Sequence, residues 1–227
     1  MNCPQEVAEI LSNLLAEIRQ AIPDNLVGVY LRGSLAYGDF RPATSDLDVL
    51  VVTKRLVSDT EFQCLADLHK RIGQSNNPYA QRIEIAYIDR EGVREYRAGQ
   101  QYPTLEQGAD ECLKWSEHRE NWVLERWSVR EYGKALYGPA PKELIAPVSS
   151  DTIRQAVHNR LQDWVEWARD VADPDWRLPK GHKAYVVETM CRILYVLENG
   201  ELVTKSQAVE WAENALPWRW KELVGRS

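Results

Sequence analysis

The order of apolar and polar residues changes period several times along the chain. Between residues 4 and 21, Val7, Ile10, Leu11, Leu14, Leu15 and Ile18 recur at helical spacing, which predicts an amphipathic helix with Pro4 in its first turn. From Val27 the period drops to two: Val27, Val29 and Leu31 alternate with Gly28, Tyr30 and Arg32 up to Gly33-Ser34, the pattern of a strand. Val49 to Val52 is a continuous apolar run, expected of a strand covered on both faces. Ser58-x-x-Glu61 reads as a capping box opening a helix with Phe62, Leu65, Leu68 and Ile72 inward, and residues 74–78 as a loop. A further strand follows over 81–89, where Ile83, Ile85 and Tyr87 alternate with Arg82, Glu84 and Ala86.

Residues 92–118 carry no clear period, and Tyr96, Tyr102 and Trp115 suggest a flap over a site. Helical spacing resumes from Glu120 to Tyr132 with Val123, Leu124 and Trp127, and Gly133 as its stop. Residues 136–141 read as a connector, so the expected domains are 1–147 and 148–227. From Asp151 the pattern is helical throughout. One stripe runs through Ile153, Val157, Leu161, Trp164, Val165 and Ala168, and a second helix from Tyr185 stops at Asn199-Gly200. A third, capped by Thr204-x-x-Gln207, carries Val209, Trp211, Ala212 and Leu216. The expected class is α+β: a small mixed-sheet domain followed by an all-helical bundle domain, with the site in the cleft between them.

At 227 residues the chain is long enough to bury a proper core. Its net charge of −6 is spread among both signs, which argues against a basic nucleic-acid-binding face. The four cysteines, at 3, 64, 112 and 191, lack CxxC spacing and read as free thiols of a reducing compartment. The four histidines share no zinc-site spacing. No basic, apolar leader or membrane-length apolar run stands in the sequence, so a cytoplasmic protein without a membrane partner, and a monomer, is expected.

The candidate chemistry lies between Gly33 and Glu84. Asp46 and Asp48, two apart on an extended segment, project to one face roughly 6–7 Å apart at Cα. Two such acids repel and resist desolvation unless a cation offsets them. They are placed to converge on divalent cations about 3.5–4 Å apart. Gly33 allows close approach of backbone to a phosphate, and Ser34 adds a hydroxyl. Glu84 interrupts the next strand with a third carboxylate; the structural alternative pairs it with Arg82. Asp39 and Arg41 read as turn-shaping residues, and Ser45 either touches phosphate or caps the strand entry.

Gly33-Ser34-Leu35-Ala36-Tyr37-Gly38-Asp39 followed by Ser45-Asp46-Leu47-Asp48 resembles the signature of the polymerase-β-type nucleotidyltransferase superfamily. The later chain is similar to the aminoglycoside adenylyltransferases acting on streptomycin and spectinomycin, on Cys191-Arg192-Ile193-Leu194-Tyr195, Lys205 and Ala208-Val209-Glu210-Trp211-Ala212. The resemblance implies transfer of AMP from ATP to a hydroxyl of a small acceptor, with release of pyrophosphate. It implies Asp46, Asp48 and Glu84 as ligands of two Mg²⁺ ions and Glu84 as the base. Gly33, Ser34, Ser45, Arg192 and Lys205 would bind the nucleotide. For Arg192 the local alternative is an ion pair with Glu188, one helical turn before it. Asp175 matches an acceptor-binding acid, whereas Lys180-Gly-His-Lys183 departs from the acidic approach of the drug-modifying relatives. The alternatives are a nucleotidyltransferase acting on protein or tRNA, of toxin–antitoxin kind, and a nucleotide sensor without turnover.

Overall fold

A computed structural model describes residues 3–106, 112–178 and 180–225. The chain divides into two compact units, 1–147 and 148–227.

In the first unit, α1 (Gln5–Ala21) buries Val7, Ile10, Leu11, Leu14 and Ile18; Pro4 stands just outside it, at the N-cap. It leads into β1 (Leu26–Leu31), a one-turn helix α2 (Gly33–Tyr37) and β2 (Leu47–Thr53). The helix α3 (Asp59–Gly73) starts at the expected capping box, both reciprocal hydrogen bonds of which are present. It is the crossover that makes β3 (Ile83–Asp89) parallel to β2. Then come α4 (Arg90–Arg94), β4 (Gln101–Leu105), β5 (Lys114–Glu117), α5 (Asn121–Tyr132), β6 (Lys134–Tyr137) and α6 (Pro141–Leu144).

Among the described residues the sheet has six strands in the order β5-β4-β3-β2-β1-β6, with β2–β3 its one parallel pair. The central strands are covered on both sides, and their period of two sorts the side chains. Val29, Leu31, Leu47, Val49, Val51, Ile83, Ile85 and Tyr87 join the core formed with α1 and α3. Tyr30, Leu50, Val52, Ala86 and Ile88 point the other way and pack with Val93, Val129, Leu144 and Ile145.

Two expectations need correction. The segment 92–118 suggested as a flap contributes two strands to the sheet: Tyr102 is fully buried in β4, and Trp115 in β5 stacks on Phe62. The connector assigned to 136–141 begins as strand, because β6 pairs with the free edge of β1. All three strands form through pairing with other segments of the chain, which local periodicity does not encode.

The second unit is helical throughout its described residues. It comprises α7 (Ser150–Arg169), a 3-10 turn at Pro174–Arg177, α8 (Lys180–Asn199), α9 (Lys205–Ala215) and α10 (Trp218–Val224). One cluster of its core is Cys191, Ala208, Ala212 and Val224, with Val187, Val203, Val209, Trp211 and Leu216 packed around them, and Ile153, Ala156, Val157, Ile193 and Val196 are buried as well. The Thr204–Gln207 capping box is present as expected. Cys3, Cys64, Cys112 and Cys191 are free thiols. Among the described residues no helix is long and apolar enough to cross a membrane.

Candidate active site

The two-residue period that sorts the core also builds the site. On β2, Asp48 shares the face of Leu50 and Val52, and on β3, Glu84 shares the face of Ala86 and Ile88. The parallel register sets Asp48 directly beside Glu84. On the other flank Arg32 continues the face of Tyr30, and its N–H donates to the Asp48 carbonyl at 3.0 Å. Three neighbouring strands thus present a cation and two acids in one row.

The helix α5 covers that row. Trp122, Glu125, Arg126 and Val129 lie at i, i+3, i+4 and i+7, one helical face; Trp122 and Val129 pack with the sheet core and Glu125 reaches Arg32. The Arg32 guanidinium lies 2.8 Å from Glu125, 3.5 Å from Asp48 and 3.7 Å from Glu84, and sits over the Trp122 ring at 5.6 Å. The structural alternative for Glu84, a pair with Arg82, is therefore not what forms. Arg82 instead donates to the carbonyls of Pro42 and Ser45 and approaches Asp46 at 3.9 Å.

Asp46 stands immediately before β2 rather than within it, but the segment is already tied to the sheet, since the Leu47 N–H donates to the Arg82 carbonyl at 2.8 Å. The Ser45 hydroxyl accepts from the Arg41 N–H at 2.9 Å, closing the 41–45 turn. Gly33 opens the turn on the opposite side of Asp48. Its φ of +60° is left-handed, and a Cβ there would run into the Asp48 carboxylate, so both conformation and approach demand glycine. Ser34 follows at the start of α2, which is fastened to α5 through Tyr37 and Ser128.

Acids outnumber cations here: Asp46, Asp48, Glu84 and Glu125 against Arg32 and Arg82. Burial raises the Glu84 pKa, the Asp48 charge adds to this, and Arg32 offsets only part, leaving Glu84 at about 7. A carboxyl poised there suits proton transfer near neutral pH. Among the described residues no three His, Cys, Asp or Glu side chains close on one point as a finished metal cage; the acids surround the Arg32 guanidinium instead. The donor set itself is all carboxylate oxygen in a field short of positive charge, which fits a hard divalent cation such as Mg²⁺.

The remaining candidates belong to the helical unit. Lys205 is the first residue of α9, with its Nζ 3.4 Å from Glu188 and 4.7 Å over the Tyr185 ring. Glu188 thus pairs with Lys205 rather than with Arg192, which lies half-buried on α8. Asp175 lies in the 3-10 turn, where its N–H donates to Asp173.

Arg32 and Glu125 were missing from the expected set. Arg32 was accessible to sequence reasoning, because it falls on the alternate positions of β1 that also carry Tyr30. Glu125 was not, since it meets Arg32 across 93 positions of chain.

Comparison with known proteins follows the same division. Residues 11–102 match the family model of the nucleotidyltransferase domain, and residues 143–227 that of the aminoglycoside adenylyltransferase C-terminal domain. An aminoglycoside (3'') (9) adenylyltransferase of Shigella flexneri is 27% identical over 236 residues, spanning 96% of this chain and 83% of the relative. A spectinomycin 9-adenylyltransferase of Campylobacter jejuni is 25% identical over 233 residues, spanning 97% and 82%. The crystal structure of a spectinomycin adenyltransferase from Enterococcus faecialis, solved with ATP and spectinomycin, has the same fold. Its TM-score is 0.74 at 19% identity, over 96% of this chain and 86% of that one. With both halves matched and these relatives covered over most of their length, the chain is similar to the nucleotidyltransferases and, within them, to the aminoglycoside adenylyltransferases.

Proposed function

We infer that the protein transfers AMP from ATP to a hydroxyl of a small, aminoglycoside-like acceptor and releases pyrophosphate. The observation that carries this reading is Glu84 beside Asp48 in parallel register, with its pKa raised to about 7, at the Gly33 turn. The names of the relatives, aminoglycoside and spectinomycin adenylyltransferases, support the acceptor class, and ATP with spectinomycin in the structural neighbour supports the donor.

In this reading Asp46 and Asp48 hold Mg²⁺, with Glu84 as a third oxygen ligand. When bound, the metal supplies charge stabilisation at the attacking and leaving oxygens of the transfer. Gly33 offers close backbone approach to the outer phosphates and Ser34 a hydroxyl donor, with Ser45 supporting the loop beside them. Glu84 takes the proton of the acceptor hydroxyl. As that oxygen bonds to the α-phosphorus, the bond from phosphorus to the oxygen bridging to the β-phosphate breaks, and pyrophosphate leaves. Arg192 and Lys205 bind the triphosphate, Lys205 exchanging its Glu188 partner for phosphate oxygen. Asp175 offers a carboxylate to a cationic acceptor. The small net negative charge of the chain, −6, suits an acceptor rich in amines.

The test is incubation with ATP and Mg²⁺ and a panel containing streptomycin, spectinomycin and other aminoglycosides, followed by pyrophosphate release and the mass of the acceptor. A mass gain of one AMP on a member of the panel is expected. ATP-dependent labelling of a protein or of tRNA, with the panel unmodified, would replace the acceptor assignment.

A further inference from the structure

Arg32 is the residue around which the site is packed, and the reaction scheme leaves it without a task. Its side chain is 11% exposed and meets three carboxylates, yet the hold on it is unequal. Glu125 takes it at 2.8 Å with a hydrogen bond, while Asp48 and Glu84 stand at 3.5 and 3.7 Å, within ion-pair range but outside hydrogen-bond length. Beneath the guanidinium lies an aromatic column. The Trp122 ring is 5.6 Å from it, and His118 stacks flat on Trp122 with centroids 3.5 Å apart and planes within 3°. Thr104 fixes the His118 ring through a 3.0 Å hydrogen bond to Nε2. Burial and the neighbouring Arg126 and Arg32 push the His118 pKa down to about 3, so the column adds no competing charge. Arg32 is thus anchored from one side by Glu125 and Trp122, and leans from that anchor toward the acids proposed to hold the metal.

We propose that Arg32 is a positioning residue that acts as a resident counter-ion: anchored on Glu125 and Trp122, it holds Asp48 and Glu84 together before metal enters and sets how strongly a divalent cation is drawn to them. The physical reason is competition. A guanidinium within 4 Å of two carboxylates cancels part of the potential that a divalent cation feels, and it keeps the acids from splaying apart while that cation is absent. Arginine suits the task because its planar, permanently charged fork reaches several carboxylates at once and lies flat on an aromatic ring. The anchor on Glu125 matters equally, since a free guanidinium would settle on Asp48 and Glu84 and shut the site to metal.

The inference rests on Asp48 being a metal ligand, and one experiment separates the two claims. Mn²⁺ alone is titrated into the nucleotide-free protein, with free Mn²⁺ read by electron paramagnetic resonance and folding checked by circular dichroism. Arg32→Met is expected to bind Mn²⁺ about tenfold more tightly than the parent while melting at a lower temperature without metal. Asp48→Asn is expected to abolish the binding. If Asp48→Asn abolishes it but Arg32→Met binds no more tightly than the parent, the counter-ion role is overturned and the metal site stands. If Asp48→Asn binds as the parent does, the metal assignment fails and the inference falls with it. Should Arg32→Met not fold, Glu125→Gln carries the test: release of the guanidinium onto the acids weakens Mn²⁺ binding about threefold, and unchanged affinity overturns the proposal.

Discussion

The two ends of β2 hold carboxylates in opposite circumstances. Beyond Thr53, Glu61 is satisfied from every side: Arg55 donates at 2.8 and 3.1 Å, the Ser58 N–H at 2.8 Å, the Ser58 hydroxyl at 2.9 Å and Asn25 at 3.3 Å. Burial alone would raise its pKa, but the hydrogen bonds from Arg55 and Ser58 outweigh that and lower it. At the Asp48 end burial also raises Glu84, and there the neighbouring acids push the same way, with one arginine opposing. Glu61 ties strand end to helix start, whereas Glu84 is left short of positive charge. A carboxylate whose surroundings finish its hydrogen bonds is a structural one; a carboxylate whose surroundings withhold charge is waiting for a ligand or a proton.

Four substitutions test that contrast, beginning with the largest effect. Asp48→Asn is expected to reduce turnover at least about a thousandfold with the circular dichroism spectrum unchanged, because the transfer has no substitute for lost metal binding. Parental turnover in this variant would put the site elsewhere. Next, Glu84→Gln should lower kcat about 10²- to 10⁴-fold with ATP affinity nearly unchanged, which separates a base from a binding residue. In the metal-free parent Glu84 loses its proton as pH rises through about 7, a titration that the variant lacks in a potentiometric difference curve.

The same Glu84 carries a stability signature of known sign. A carboxyl with a raised native pKa binds more protons folded than unfolded, so stability falls as pH climbs from about 4.5 to about 7. Above that window, metal-free Glu84→Gln should be more stable than the parent by on the order of 1 kcal/mol, reduced for partial exposure, by urea titration. Lys205→Ala is a smaller perturbation, weakening ATP binding about three- to tenfold with little change in kcat. An unchanged dissociation constant would leave Lys205 as the partner of Glu188 alone.

Glu61→Gln closes the comparison from the structural side. Activity should be parental while stability at pH 7 drops by about 1 kcal/mol, the scale of a lost charged cap. Its native pKa is lowered, so its contribution is present above the unfolded value. It is lost as pH falls through the native one, and parent and variant should converge in acid. Loss of activity in Glu61→Gln, with stability intact, would erase the distinction between the two ends.

What the linear order of residues determined is whatever depends on neighbours a few positions apart. The stripe of α1, the capping boxes at Ser58 and Thr204, the paired aspartates and the Gly-Ser turn are local, because helix period, cap geometry and strand alternation are set within a turn or two. Glu84 was legible for the same reason, as a charge interrupting an apolar alternation. Only the fold decided the rest. Tyr102 reads like any exposed aromatic until β4 pairs with β3, and Lys134–Tyr137 reads as a connector until β1 offers it an open edge. Glu125 shows the limit most plainly. It is one charged residue in an ordinary segment, and its meeting with Arg32 beside Asp48 follows from sheet register and the seating of α5, which arise from packing between parts of the chain far apart in sequence.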